Sequence, residues 1–158
     1  GMHCDLYGIE REHNSKAFSD IQRKGRLKSL KGVTDRKNTV TFMKWLKSGK
    51  TVLYAPDQDY GLSKSIIVNF FGHPSATISA PFKLINATGC KPYFVNSYYD
   101  ENSLILDIQE INFECDDEHR FMQALNDYVE QKVRAYPHEY LWQHRRFKST
   151  LGKTKLYK

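Results

Sequence analysis

A chain of 158 residues, 40% of them hydrophobic and with its aromatic residues spread along its length, is the size of one domain with enough apolar material for a core, which excludes a wholly disordered chain. Its 24 Lys and Arg against 18 Asp and Glu leave a net charge of +6, which favours anionic partners such as lipid headgroups, acidic proteins or nucleic acid without choosing among them. Cys4, Cys90 and Cys115 form neither a CxxC pair nor a His-spaced set, and no apolar run reaches the roughly 18 residues of a membrane span, so no metal site, cofactor, disulfide scaffold or spanning helix is expected.

Asn14 is placed to cap a short amphipathic helix over residues 15–24, with Phe18 and Ile21 on one face. A basic stretch follows, with Arg23, Lys24, Arg26, Lys28 and Lys31 inside nine residues. Its functional reading is an anion-binding surface, and its plain reading is a solvated face. Thr34 or Asp35 then caps a second helix over 36–48, in which Val40, Met43 and Leu46 recur every three residues and Gly49 follows the end. Thr51–Ala55 reads as a buried strand that delivers the polar turn Pro56-Asp57-Gln58.

Residues 66–71 read as another strand, which stops at Gly72-His73-Pro74. Ser79 caps a mostly apolar helix with Pro81 in its first turn and Gly89 at its end, a pattern suited to burial. Lys91–Tyr98 and Ser103–Ile111 form a hairpin around Tyr99-Asp100-Glu101-Asn102. The clearest helix is 117–135, with Phe121, Leu125, Tyr128, Val129 and Val133 on one face and Pro137 as its stop. The last ten residues read as frayed. This alternation predicts an α/β fold, a mixed sheet flanked by helices in a single domain over 1–158.

Several residues carry chemistry in this pattern. Asp57 and Asp59 follow a predicted strand, where polar residues of α/β proteins face ligands. Their plain reading is a turn in which each carboxylate accepts from nearby backbone N–H groups. Arg145 and Arg146, between His144 and Phe147, offer planar donors for a phosphate or carboxylate, or else form a solvated basic face. Tyr140 and Trp142 suit a membrane or ligand contact, or a place in the core. None of the six histidines has a carboxylate five positions on: those positions hold Gly8, Phe18, Ile78, Ala124, Gln143 and Ser149. A Gly-x-Ser-x-Gly elbow and a P-loop are also absent.

Four segments in order, Asp35-Arg36-Lys37, Tyr54-Ala55-Pro56-Asp57-Gln58-Asp59-Tyr60-Gly61, Phe70-Phe71-Gly72-His73-Pro74-Ser75-Ala76-Thr77 and Tyr140-Leu141-Trp142-Gln143-His144-Arg145-Arg146-Phe147-Lys148, together resemble the late (lauroyl or myristoyl) acyltransferases of lipid A biosynthesis. The resemblance covers the C-terminal portion of that family and implies part of a glycerol-phosphate-acyltransferase-like fold. It implies transfer of a fatty acyl chain from acyl carrier protein to a lipid A precursor, at the cytoplasmic face of the bacterial inner membrane. This chain itself is expected to be soluble and peripheral, and nucleic acid is not an expected partner.

By the same resemblance Asp57 and Arg11 fall at active-site positions, although Glu10, Glu12 and Lys16 depart from the pattern around Arg11. Gln58, His144, Arg145 and Arg146 are the implied substrate-binding residues. The family's general base is a His-x4-Asp/Glu pair, which this chain lacks, so the chain is expected to be inactive alone. The alternative is a module that binds anionic lipid or acyl carrier protein without catalysis. Gly1 before Met2 reads as a scar of tag removal, with Met2 expected to open the expressed frame; by the resemblance the gene is then expected to be truncated or its start misassigned, or else the sequence to be a cut piece of a longer protein.

Overall fold

The computed structural model describes residues 4–113 and 116–152. Met2, His3, Cys115 and the chain beyond Gly152 lie outside the described residues. Contacts divide the chain into two units, one reaching to Ala55 and including Asn86–Cys90, the other made of Pro56–Ile85 and the chain from Lys91 onward.

The first unit is a small parallel sheet with two helices. β1 (Leu6–Glu10) lies between β2 (Gly32–Asp35) and β3 (Thr51–Leu53), pairing Tyr7 with Gly32 on one side and with Val52 on the other. α1 (Lys16–Arg26) connects β1 to β2, and α2 (Thr39–Lys47) connects β2 to β3, so the order reverses at β1. Side chains crowd the sheet at two glycines. A Cβ on Gly8 would stand 2.7 Å from Leu30, and one on Gly32 would stand 2.9 Å from the Tyr7 ring.

α1 starts one residue later than the sequence suggested, and α2 three residues later. Ser15, not Asn14, caps α1 by accepting from the Phe18 N–H. Asn38, not Thr34 or Asp35, caps α2 by accepting from the Thr41 N–H. Thr34 and Asp35 belong to β2, and the Asp35 carboxylate accepts instead from the N–H groups of Lys37 and Glu12. The buried residue of α2 is Phe42, while Val40 is exposed. β3 is not the buried strand expected, since Thr51 and Leu53 are exposed.

The second unit contains two antiparallel hairpins and the long helix. β4 (Ser65–Phe70) turns through Phe71-Gly72 into β5 (His73–Ile78), so Gly72-His73-Pro74 opens a second strand where the sequence suggested a stop. Phe71 and Gly72 have φ of 50° and 76°, the two left-handed positions of a tight hairpin turn. The Phe71 N–H is held by the Glu130 carboxylate at 2.7 Å, and Arg134 stacks over the Phe71 ring.

α3 (Ala80–Thr88) follows, and contrary to expectation none of its residues is fully buried. β6 (Tyr93–Asp100) and β7 (Ser103–Glu110) form the expected hairpin, with a tighter turn at Glu101-Asn102 because Tyr99 and Asp100 remain paired. α4 (Glu118–Ala135), capped by Asp117, matches the predicted helix. Val68 of β4 packs with Phe121, Met122 and Leu125 of α4, and Phe82 and Ile85 of α3 pack against them. This is the core of the second unit. Asn126 is also buried, although a helix face chosen by hydrophobicity leaves it out.

The architecture is therefore α/β, but the strands form one parallel and two antiparallel sheets among the described residues rather than a single mixed sheet. The β6–β7 hairpin sets Phe94 against Tyr128, Tyr98 on Tyr136, and Asp107 in an ion pair with Lys132. Its other face carries Val95, Leu104, Leu106 and Ile108, all exposed. No helix among the described residues is long and apolar enough to cross a membrane.

Candidate functional site

The Pro56–Gly61 turn is tied to the C-terminal segment of the second unit. Asp59 is 2% exposed. Its backbone N–H donates to Nε2 of His144 at 2.8 Å. Its Oδ1 accepts from the Gly61 N–H at 2.9 Å and from the Ser149 hydroxyl at 2.7 Å, and its Oδ2 accepts from the Ser149 N–H at 2.9 Å. Turns from Arg145 to Leu151 hold Ser149 in place, so the first residues of the stretch expected to fray are ordered.

The electrostatics follow from these bonds. Burial opposes ionisation of Asp59, but the Ser149 hydroxyl and the N–H groups of Gly61 and Ser149 outweigh it and lower the pKa below 3.8. For His144, burial first, then the charge of Lys148, lowers the pKa below 6.5 against an opposing pull from Asp57. An Nε2 that accepts an amide hydrogen belongs to a neutral ring whose proton sits on Nδ1. Neither group is a ready general base: the Asp59 carboxylate is weakly basic and Nε2 of His144 is occupied.

Arg146 is buried and faces β5. Its Nη1 donates to the Ala76 carbonyl at 2.7 Å, its Nη2 to the Thr77 hydroxyl at 2.6 Å, and the guanidinium lies over the Phe70 ring. Thr77 also accepts from Asn126 Nδ2 at 3.2 Å, which reaches Ser75 Oγ at 3.3 Å. The arginine, the hairpin and α4 therefore share one buried polar network.

The structure brings Asp57, Gln58, His144, Arg145 and Arg146 into one unit but gives them different settings. Asp57 and Arg145 are exposed, Gln58 and His144 are half-buried, and Arg146 is buried. Arg11 belongs to the first unit, directly after β1, and is exposed. Trp142 is exposed, with its indole N–H on the Pro137 carbonyl, while Tyr140 is half-buried near Phe70. No group of three or more His, Cys, Asp or Glu side chains among the described residues is arranged to hold a metal ion.

Sequence reasoning set Asp59 beside Asp57, and the plain turn reading describes Asp59: its carboxylate accepts the N–H two residues on. Ser149, Thr77 and Asn126 were not among the candidate site residues. Their partners lie 49 to 90 residues away in the chain, beyond the reach of any local pattern.

The profile of the bacterial lipid A biosynthesis acyltransferase family matches residues 5–149. The chain belongs to this family. It is 33% identical to a lipid A biosynthesis lauroyltransferase of Escherichia coli strain K12, over 94% of this chain and 50% of the relative. It is 31% identical to a lipid A biosynthesis palmitoleoyltransferase of the same strain, over 99% and 53%. A lipid A biosynthesis acyltransferase of Haemophilus influenzae is 30% identical, over 94% and 50%. The chain spans about half the length of the curated relatives it matches. Within this chain, the Asp59 network joins the Tyr54–Gly61 and Tyr140–Lys148 segments and their neighbour Ser149.

Proposed function

We propose that this chain is the C-terminal, substrate-holding part of a lipid A acyltransferase, with a glycerol-phosphate-acyltransferase-like fold in the whole enzyme. It cradles a lipid A precursor and an acyl chain arriving on acyl carrier protein, at the cytoplasmic face of the inner membrane. The observation that carries this reading is the family match over residues 5–149 in a chain whose histidines all lack a carboxylate five positions on.

In the reaction, a carboxylate-oriented imidazole takes the proton of an acceptor hydroxyl as its oxygen attacks the thioester carbonyl, and the thiolate of the carrier departs. This chain lacks the His-x4-Asp/Glu pair that would serve as that base, and its proposed part is to bind rather than to transfer. Exposed Asp57 and half-buried Gln58 orient the hydroxyl, while Arg145, backed by Arg146 and His144, holds acidic groups of the glycolipid. The buried Asp59 network keeps the Asp57 turn and the Arg145 segment in register.

The test is a combined binding and transfer assay on the purified chain. Binding of the lipid A precursor without transfer, weakened by Asp57→Ala and Arg145→Ala, is the expected outcome. Turnover from acyl carrier protein that disappears with Asp57→Ala would overturn the inactive reading. A second reading, a module that binds anionic lipid or acyl carrier protein without serving catalysis, is favoured by the net charge of +6. It predicts salt-sensitive binding with no specificity for the lipid A precursor.

A further inference from the structure

α1 meets the sheet through its arginines. Arg23 and Arg26, 48% and 38% exposed, reach the buried Glu10 carboxylate at 3.2 and 3.0 Å, and Arg23 also donates to the Val33 carbonyl. Ser19 and Gln22 bond to His13. The opposite side carries Phe18 and Ile21, which are 52% and 69% exposed, and no residue of the helix is buried. Successive residues turn by about 100°, so Phe18 and Ile21 lie some 60° apart on one side of the helix and well away from Arg23. Exposed Lys24, three residues on from Ile21, borders that side, exposed Lys28 follows in the turn just past the helix end, and neither enters an ion pair among the described residues.

Charge is divided just as unevenly. The first unit holds twelve Lys and Arg against five Asp and Glu, a net +7, and the remainder of the chain holds twelve against thirteen, a net −1. The entire positive excess of the chain therefore belongs to the unit that exposes the apolar side of α1. An amphipathic helix with aromatic and aliphatic side chains outward and lysines at its border is the form that lies in the plane of a lipid interface.

We infer that the outward side of α1 docks on an anionic lipid surface, with Phe18 and Ile21 entering the headgroup boundary and Lys24 and Lys28 resting on the lipid phosphates. A planar surface suits charge dispersed through a whole unit better than an acidic protein does, since such a protein would engage a confined patch. The lipid-acceptor reading above supplies the kind of surface; the face itself stands on the geometry of α1.

The experiment is co-sedimentation of the purified chain with vesicles of phosphatidylcholine alone or mixed with phosphatidylglycerol. Binding to the mixed vesicles only is expected, and it should be lost near 1 M salt, where the Debye length is about 3 Å. Lys24→Gln with Lys28→Gln should weaken it about 30-fold, at roughly fivefold per lysine. Ile21→Ser should weaken it about tenfold, and Lys64→Gln in the second unit should leave it unchanged.

Failure to bind either vesicle, equal binding to both, or wild-type binding by the α1 variants would overturn the inference. So would variants that keep vesicle binding but lose acyl carrier protein, which would assign the face to an acidic protein. Circular dichroism of each variant checks that the surface changes leave the fold intact. The transfer assay uses detergent-dispersed acceptor, so a failure here leaves the acyltransferase reading standing, and a failure there leaves this one standing.

Discussion

The hydroxyl of Ser149 donates to Oδ1 of Asp59 at 2.7 Å, and the Ser149 backbone N–H donates to Oδ2 at 2.9 Å, so one residue engages both oxygens of a buried carboxylate 90 positions earlier in the chain. Asp59→Ala leaves buried donors without an acceptor and should cost about 2–4 kcal/mol, against about 1 kcal/mol for Ser149→Ala. A double-mutant cycle with Asp59→Asn and Ser149→Ala, read by urea denaturation, should return a coupling of about 1 kcal/mol or more. A coupling near zero would mean that the pair does not hold the turn.

Acidification should weaken the second unit in two stages. The folded-state pKa of His144 is lowered from 6.5, so the unfolded chain takes up its proton first as pH falls. Its contribution is complete above 6.5 and declines as pH drops through that value toward the folded pKa. Asp59, lowered from 3.8, adds a second loss as pH falls below 3.8. Urea midpoints should therefore decrease from pH 7.5 to 5.5, and His144→Gln should flatten that slope.

The adjacent arginines should separate in their effects. Arg146→Ala removes donors to the Ala76 carbonyl and the Thr77 hydroxyl from a buried site, and should cost about 2–4 kcal/mol. Arg145 is exposed, and Arg145→Ala should stay within about 1 kcal/mol while reducing affinity for the lipid A precursor. Thermal denaturation paired with a binding titration reads both.

Hydrophobicity alone does not rank the apolar residues. Met122 is fully buried, and Met122→Ala should cost about 2–5 kcal/mol, whereas Leu106→Ala on the exposed face of the β6–β7 hairpin should cost about 0.5 kcal/mol or less. Gly72→Ala, at φ of 76°, should cost about 1–2 kcal/mol by forcing a Cβ into the left-handed region. Chemical denaturation of the three variants orders these positions.

What was legible in the sequence follows from how local each signal is. α4 could be read because Phe121, Leu125 and Val133 repeat on one face between Asp117 and Pro137. The β6–β7 hairpin could be read from its β-branched and aromatic runs, although its aliphatic face turned out to be the exposed one. β5 was hidden because Pro74 reads as a breaker, and the sheet accommodates it where Pro74 pairs with Asn69 beside the turn. β2 was hidden because Thr34 and Asp35 mimic a helix cap. In the site, Asp57 and Arg145 stood out through family motifs, but the burial of Asp59 and Arg146 depends on Ser149 and Thr77, which only the folded chain brings to them.

The most direct measurement incubates the folded, purified chain with radiolabelled lipid A precursor and acyl carrier protein charged with a lauroyl group, then quantifies bound acceptor and acylated product in the same sample. The account predicts bound acceptor, reduced by Asp57→Ala and Arg145→Ala, and no acylated product. Acylated product, or a folded chain that leaves the acceptor unbound, would contradict it.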